Sequence, residues 1–310
     1  MLTTTLCRSI KSIRIRQTLT YLILIPLCFL PLTSRPAQTQ FVNHAPHYAI
    51  LERTFLLARK KDWDQLPFNQ LIIKLSLNFV GKPYIPGTLE QSGSEQLVIN
   101  LKAFDCVTLI ENVLALAALI KNDSLDGKDP EALRQQYRKS LTSLRYRDGE
   151  LQGYTSRLHY FSEWLSDNEA KGQLDLITEE LGGLAQSSPI YFMSANKSLF
   201  SKLKRNTDRL QSITVIEKRL NQSQRFYIPQ EEIELSSSQI QDGDIIAATS
   251  NIAGLDVVHT GFAYWDQGAL KLIHAPLIGK DVQISKRPLH QRILAIRSQN
   301  GIMVARPVEP

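Results

Sequence analysis

A cysteine and two histidines have the residue types and surroundings to do chemistry. Cys106 stands in FDCVTLIENVLALAAL, residues 104–119, directly after an aspartate and directly ahead of a long apolar run. Asp105 is a good helix N-cap, so Cys106 is expected in the first turn of a helix. There the helix dipole favours the thiolate, the nucleophilic form, and lowers its pKa. The backbone N–H groups of the same turn can hold a developing oxyanion. A cysteine nucleophile needs a base, and the base needs an orienting group. Of the six histidines, His259 in VVHTGFAYW and His274 in LKLIHAP lie on neighbouring predicted strands joined by a tight Asp-Gln-Gly-Ala turn. In an antiparallel hairpin the two can meet on one face, one taking the thiol proton and the other fixing its tautomer. Plainer readings compete with this one. A free cysteine is commonly a small buried hydrophobe, and two histidines can be unrelated positions on a half-exposed sheet.

The start of the chain bears on why a lone thiol is kept. Residues 1–18 carry Arg8, Lys11, Arg14 and Arg16 and no acid, followed by the apolar run Leu19 to Leu32 and the small, polar SRPAQTQ. This is the order of a secretory signal peptide, with Ala37 as the cleavage point. The run is short for a membrane span, which needs about 20 apolar residues, and Pro26 and Pro31 oppose a spanning helix. The expected domains are therefore a signal peptide over 1–37 and a mature chain over 38–310. The mature chain would be exported to the periplasm or cell envelope with no stable membrane span. An uncleaved anchor is the rival reading. The formal charge of +6 includes five basic residues of the leader (Arg8, Lys11, Arg14, Arg16, Arg35), so the mature chain is close to neutral. The basic balance thus gives no warrant for nucleic-acid binding. Cys7 and Cys28 leave with the signal, and Cys106 alone cannot form an intramolecular disulfide.

Periodicity places the elements that must hold these residues. Helices are expected at 47–63, 67–81, 106–120, 130–144, 157–172 and 206–222; the third is apolar on most sides and should be buried. Strands are expected at 244–250, 257–265, 270–276, 280–285 and 301–308, separated by Gly, Asp and Asn turns. Helices first and strands later is an α+β layout. No internal repeat or long linker divides the chain, so one elaborated domain is expected.

GKPYIPGTLE, FDCVTLIE, DGDIIAATSNIAGLDVVHTGFAYW and LKLIHAP, in this order, resemble the NlpC-type papain-like cell-wall cysteine hydrolases. PGTLE, RLHYFSEW and GLDVVHTGFA resemble more narrowly the N-acetylmuramoyl-L-alanine amidase-like branch. The resemblance spans about Tyr84 to Arg306. It implies a papain-like domain with helices on a mainly antiparallel sheet, helical insertions, and hydrolysis of an amide in peptidoglycan or muropeptides. It also implies Cys106 as nucleophile, His259 as general base, His274 as the orienting residue, and Tyr84 lining the site beside the oxyanion donors. Val107 stands where the wider superfamily has serine, and Ile85-Pro86-Gly87 stands where it has Trp-Gly-Gly.

The resemblance also raises substrate contacts: Arg157, read at a helix start, for a stem-peptide carboxylate, with His159 and Glu90 on the cleft wall. Leu158, Phe161 and Leu165 mark that segment equally as an ordinary core face. No close histidine spacing such as HExxH is present, so neither metal nor other cofactor is expected. Three alternatives remain: a stem-peptide endopeptidase cutting between D-glutamate and the third residue, a thioester acyltransferase, and a non-catalytic wall-binding module. Oligomeric state has no signal in the sequence.

Overall fold

The computed structural model describes residues 44–278 and 280–310, so the expected leader, with Cys7 and Cys28, lies outside the described residues. The first half of the described chain is helical. Helices α1 (Ala45–Lys60), α2 (Phe68–Asn78), α3 (Cys106–Lys121), α4 (Pro130–Arg145) and α5 (Phe161–Ala170) are followed by the short strands β1 (Leu174–Leu176) and β2 (Leu184–Ala185). Then come α6 (Phe192–Ala195), α7 (Thr207–Leu220), β3 (Phe226–Pro229) and α8 (Ile233–Ser236). The second half supplies β4 (Ile245–Ser250), β5 (Val257–Asp266), β6 (Ala269–His274), β7 (Gln283–Ile284), α9 (Leu289–Leu294) and β8 (Gln299–Pro307). Among the described residues, no helix is long and apolar enough to cross a membrane.

The strands form one open antiparallel sheet in the order β2-β3-β8-β4-β5-β6-β7, with β1 also paired to β8. The α+β layout and the mainly antiparallel sheet agree with the sequence. The short strands β1, β2 and β3 carry no alternation long enough to read from sequence. The β5–β6 hairpin turns through Gln267 and Gly268, both at positive φ (51° and 80°), which suits the strand twist.

Alternation along the strands splits the core into two faces. Ile245, Ala247, Phe262, Ile273, Met303 and Ala305 face α1 to α5. Ile246, Ala248, Ala263, Leu272, Ile302 and Val304 face the other way, against Ile233 of α8 and Leu289 and Ile293 of α9. A smaller cluster joins Tyr154 and Tyr160 to α6 and α7. α3 has buried residues along its whole length, from Thr108 to Ile120. Each fully buried Leu or Ile there contributes about 1.5–3 kcal/mol by transfer from water.

One polar contact fixes α3 more specifically than its apolar packing does. Glu111 of α3 and Arg145 of α4 are 2% and 1% exposed. Arg145 Nε donates to Glu111 Oε2 at 2.8 Å, and its Nη1 donates to the Val98 carbonyl at 2.6 Å. Glu111 is therefore committed to the interior and does not face a cleft. Breaking such a pair leaves an uncompensated buried charge. Arg145→Leu is expected to lower the unfolding free energy by about 3–5 kcal/mol in urea denaturation, and a loss within experimental error would contradict this role.

Candidate active site

Asp105 caps α3 as its sequence position suggests. Its Oδ1 accepts from Thr108 N at 2.8 Å, and its own N–H donates to Thr108 Oγ1 at 2.9 Å. This is a capping box with threonine in the place usually taken by Glu or Gln. Cys106 is the first residue of the helix and is partly accessible. The helix start is held from two sides. Phe104 N donates to the Pro83 carbonyl and Ile85 N to the Phe104 carbonyl, both at 3.0 Å. The same strap reaches the loop after β6, where Tyr84 N donates to the Lys280 carbonyl at 2.8 Å. On the sheet side, Thr260 Oγ1 donates to the Cys106 carbonyl at 2.9 Å.

Thr260 follows His259 in β5, so that bond brings the cysteine backbone to the residue beside one of the expected partners. His259 Nε2 and His274 Nδ1 are 2.7 Å apart, with ring centroids at 4.9 Å and planes at 79°. Gly261 makes room for this pair. A Cβ at 261 would stand 2.9 Å from His274 Cβ and 3.0 Å from the Ile273 carbonyl. The glycine is needed for close approach, since its φ is unexceptional.

Burial dominates the electrostatics. The Cys106 thiol is pushed up to about 11, first by desolvation and then by the Asp105 carboxylate, while hydrogen bonds to Thr260 pull the other way. The direction is opposite to the lowered thiol pKa expected from the sequence, because desolvation and a neighbouring anion exceed the helix-start effect. Tyr84 is pushed up to about 12 by burial and by the charges of Cys106 and Asp105. His274 is lowered to about 3 and His259 well below the usual range, both chiefly by burial, with Arg292 adding to each. Arg292, on α9, also feels the Cys106 charge. Within the sequence RPLHQRI nothing local marks this arginine as acting on two distant imidazoles.

Arg157, His159 and Glu90 gather around Tyr154. Arg157 is not at a helix start. It follows a short 3-10 turn, Tyr154–Ser156, in extended backbone and bridges Tyr146, while α5 begins only at Phe161. That tertiary pairing overrides the helical period. The Arg157 guanidinium, 5% exposed, pairs with Glu90 and lies 3.5 Å from Glu95. His159 Nε2 is bonded to the Tyr154 carbonyl at 2.8 Å, and burial lowers its pKa to about 3. Among the described residues, no group of three or more His, Cys, Asp and Glu is arranged to hold a metal ion.

The three most strongly depressed imidazoles, His159, His259 and His274, give a test. The unfolded chain takes up their protons first, near pH 6.5, so their share of stability is full above that pH and is lost as pH falls toward 3. In histidine-labelled protein at pH 5, the ring signals of His159, His259 and His274 should remain those of neutral imidazole. Protonated signals from all three would show that the desolvation argument is wrong. The tight fit at Gly261 gives a second test. Gly261→Ala should disrupt the His259–His274 hydrogen bond, visible as loss of the shared-proton NMR signal, while the fold persists by circular dichroism.

A family model described as N-acetylmuramoyl-L-alanine amidase-like (AmiA-like) matches residues 74–302. No curated protein matches the chain. Among solved structures, an N-acetylmuramoyl-L-alanine amidase from Bacteroides uniformis ATCC 8492 is 32% identical with a TM-score of 0.72, covering 78% of this chain and 99% of its own. A putative xylanase from Bacteroides fragilis is 34% identical with a TM-score of 0.70, covering 75% of this chain and 99% of its own. A Legionella pneumophila protein at 19% identity and a TM-score of 0.61 covers 86% and 96% of the two chains and shares the fold. With the family match running from α2 into β8, the chain belongs to the N-acetylmuramoyl-L-alanine amidase-like family.

Proposed function

We propose that the protein is a cysteine-dependent amidohydrolase of peptidoglycan fragments, built on a papain-like NlpC-type fold. Its bond is the amide joining the muramyl lactyl group to L-alanine. Family membership supports a peptidoglycan amidase. The observation that carries the cysteine mechanism is the seat of the α3 start on β5, through Thr260 and Cys106, next to the hydrogen-bonded histidine pair.

In this reading the resting site holds a neutral thiol beside a neutral imidazole. His259 uses Nε2 toward His274, which leaves Nδ1 to take the Cys106 proton as sulfur attacks the lactyl carbonyl. The high thiol pKa makes proton transfer part of the attack, and no standing thiolate is required. The Cys106 N–H, unpaired within the helix as an N-terminal amide, holds the oxyanion with the Tyr84 hydroxyl beside it. Collapse breaks the C–N bond, and His259 returns the proton to the leaving amine of L-alanine. Water then attacks the thioester, giving its proton to His259; lactyl carboxylate leaves and the thiol is restored. His274 keeps His259 in the required tautomer, as a triad's third member does. The Glu90–Arg157 pair is assigned to supporting the 84–96 loop that carries Tyr84, with His159 bracing Tyr154 behind it. The leader reading of residues 1–37 belongs to this proposal, since it places the enzyme in the envelope with its polymer.

A glycoside hydrolase reading, suggested by the Bacteroides fragilis neighbour, needs two facing carboxylates. The cavity beside the histidine pair is lined by no Asp or Glu. The test is digestion of a defined muropeptide followed by mass spectrometry. The parent should release free sugar lactyl acid and stem peptide, and Cys106→Ala should lose about 10⁴-fold or more of the rate. His274→Gln should lose about 10²–10⁴-fold. A Cys106→Ala protein that hydrolyses at the parental rate would sink the reading, and cleavage after D-glutamate would move it to the endopeptidase.

A further inference from the structure

Beside the histidine pair opens a cavity of about 560 Å³ whose wall includes His259, His274, Lys286, Arg287 and Arg292. Three cations and no carboxylate line it. Several buried or partly buried arginines elsewhere have acidic partners (Arg145 with Glu111, Arg147 with Glu163, Arg157 with Glu90, Arg306 with Asp244), and Arg225 instead spends its guanidinium on the Leu220 and Ser188 carbonyls. Arg292 has no carboxylate within ion-pair distance among the described residues. Its polar contact is Nη1 donating to Gln299 Oε1 at a long 3.4 Å. A half-buried guanidinium left without an anion in a concave wall is poised to take one from outside. Lys286 and Arg287 are exposed at the same cavity and reinforce its positive field. Its lip is apolar, with Leu277 and Ile278 67% and 89% exposed.

The chemistry says which half of the substrate lies here. The imidazole that gives a proton to the leaving amine must sit against the leaving fragment. A cavity walled by both imidazoles therefore receives the leaving half, which for a muramyl amide is the stem peptide. That peptide carries free carboxylates and small methyl side chains.

We infer that this cavity is the leaving-peptide subsite, in which Arg292 pairs with a stem-peptide carboxylate and Leu277 and Ile278 cover its methyl groups. Arg292 is then the specificity-determining residue for an acidic peptide over its amidated form. The inference rests on the amidase reading for the identity of the peptide, but binding tests it without hydrolysis.

The experiment is titration calorimetry of Cys106→Ala protein with N-acetylmuramoyl-L-alanyl-D-glutamate and with N-acetylmuramoyl-L-alanyl-D-isoglutamine, which differ by one carboxylate. The free acid should bind about tenfold more tightly, as expected for one charge-assisted pair at a solvent-accessible wall, and rising salt should shrink the preference. The preference should vanish when Arg292→Gln is added to Cys106→Ala and survive in part with Arg292→Lys, each variant being checked for a parental melting transition. Equal affinities for the two ligands, a preference that persists in Arg292→Gln, or no binding of either ligand at millimolar concentration would each overturn the inference. The amidase reading fails separately. A carboxylate preference in a protein whose Cys106 parent does not hydrolyse muropeptide leaves the subsite standing, and hydrolysis without the preference leaves the reaction standing.

Discussion

Everything at the candidate site depends on where the N-terminus of α3 meets β5. The Thr260 hydroxyl joins the Cys106 carbonyl across 154 residues of chain. Asp105 and Thr108 close the helix start on itself, satisfying two backbone amides of the first turn locally. The strap at 83–85 holds Phe104, two residues before the cysteine. α3 cannot slide along the sheet, because apolar packing runs through most of its turns and the Glu111–Arg145 pair pins its middle. A reactive group at a helix start needs such a frame, since small misplacements are costly when reacting atoms must meet in one geometry.

That frame has an electrostatic consequence. Packing the helix start against a sheet removes water, and loss of water outweighs the helix dipole at Cys106. It acts on the imidazoles in the opposite sense, keeping them neutral and making them weaker bases. The proton is therefore held on sulfur, with neutral imidazoles nearby. Arg292 adds positive charge to the same wall, which further disfavours protonated imidazole.

The two polar clusters differ in the same terms. Arg157 is already neutralised by Glu90, with Glu95 close by, and His159 is spent on a backbone carbonyl. Their contacts hold the polypeptide together around Tyr154. Arg292 has no such commitment. The difference between Arg157 and Arg292 lies in the company each keeps, and that company comes from segments far away in the chain.

By itself the sequence determined what is local. Asp105 ahead of an apolar run dictated a capped, buried helix beginning at Cys106. Alternation dictated the strands bearing His259 and His274, and the Asp-Gln-Gly-Ala turn dictated their hairpin. Motif order pointed to the family through those same residues. Tertiary structure decided the rest, because those quantities are sums over distant segments. The extended path of Arg157, pulled out of helix by Tyr146, the acidic partners of Arg145 and Arg157, and the strands β1 to β3 all required knowing what lies across the fold. The thiol pKa and the place of Arg292 had the same requirement: desolvation and charge act through space, and no window of sequence contains the groups that exert them.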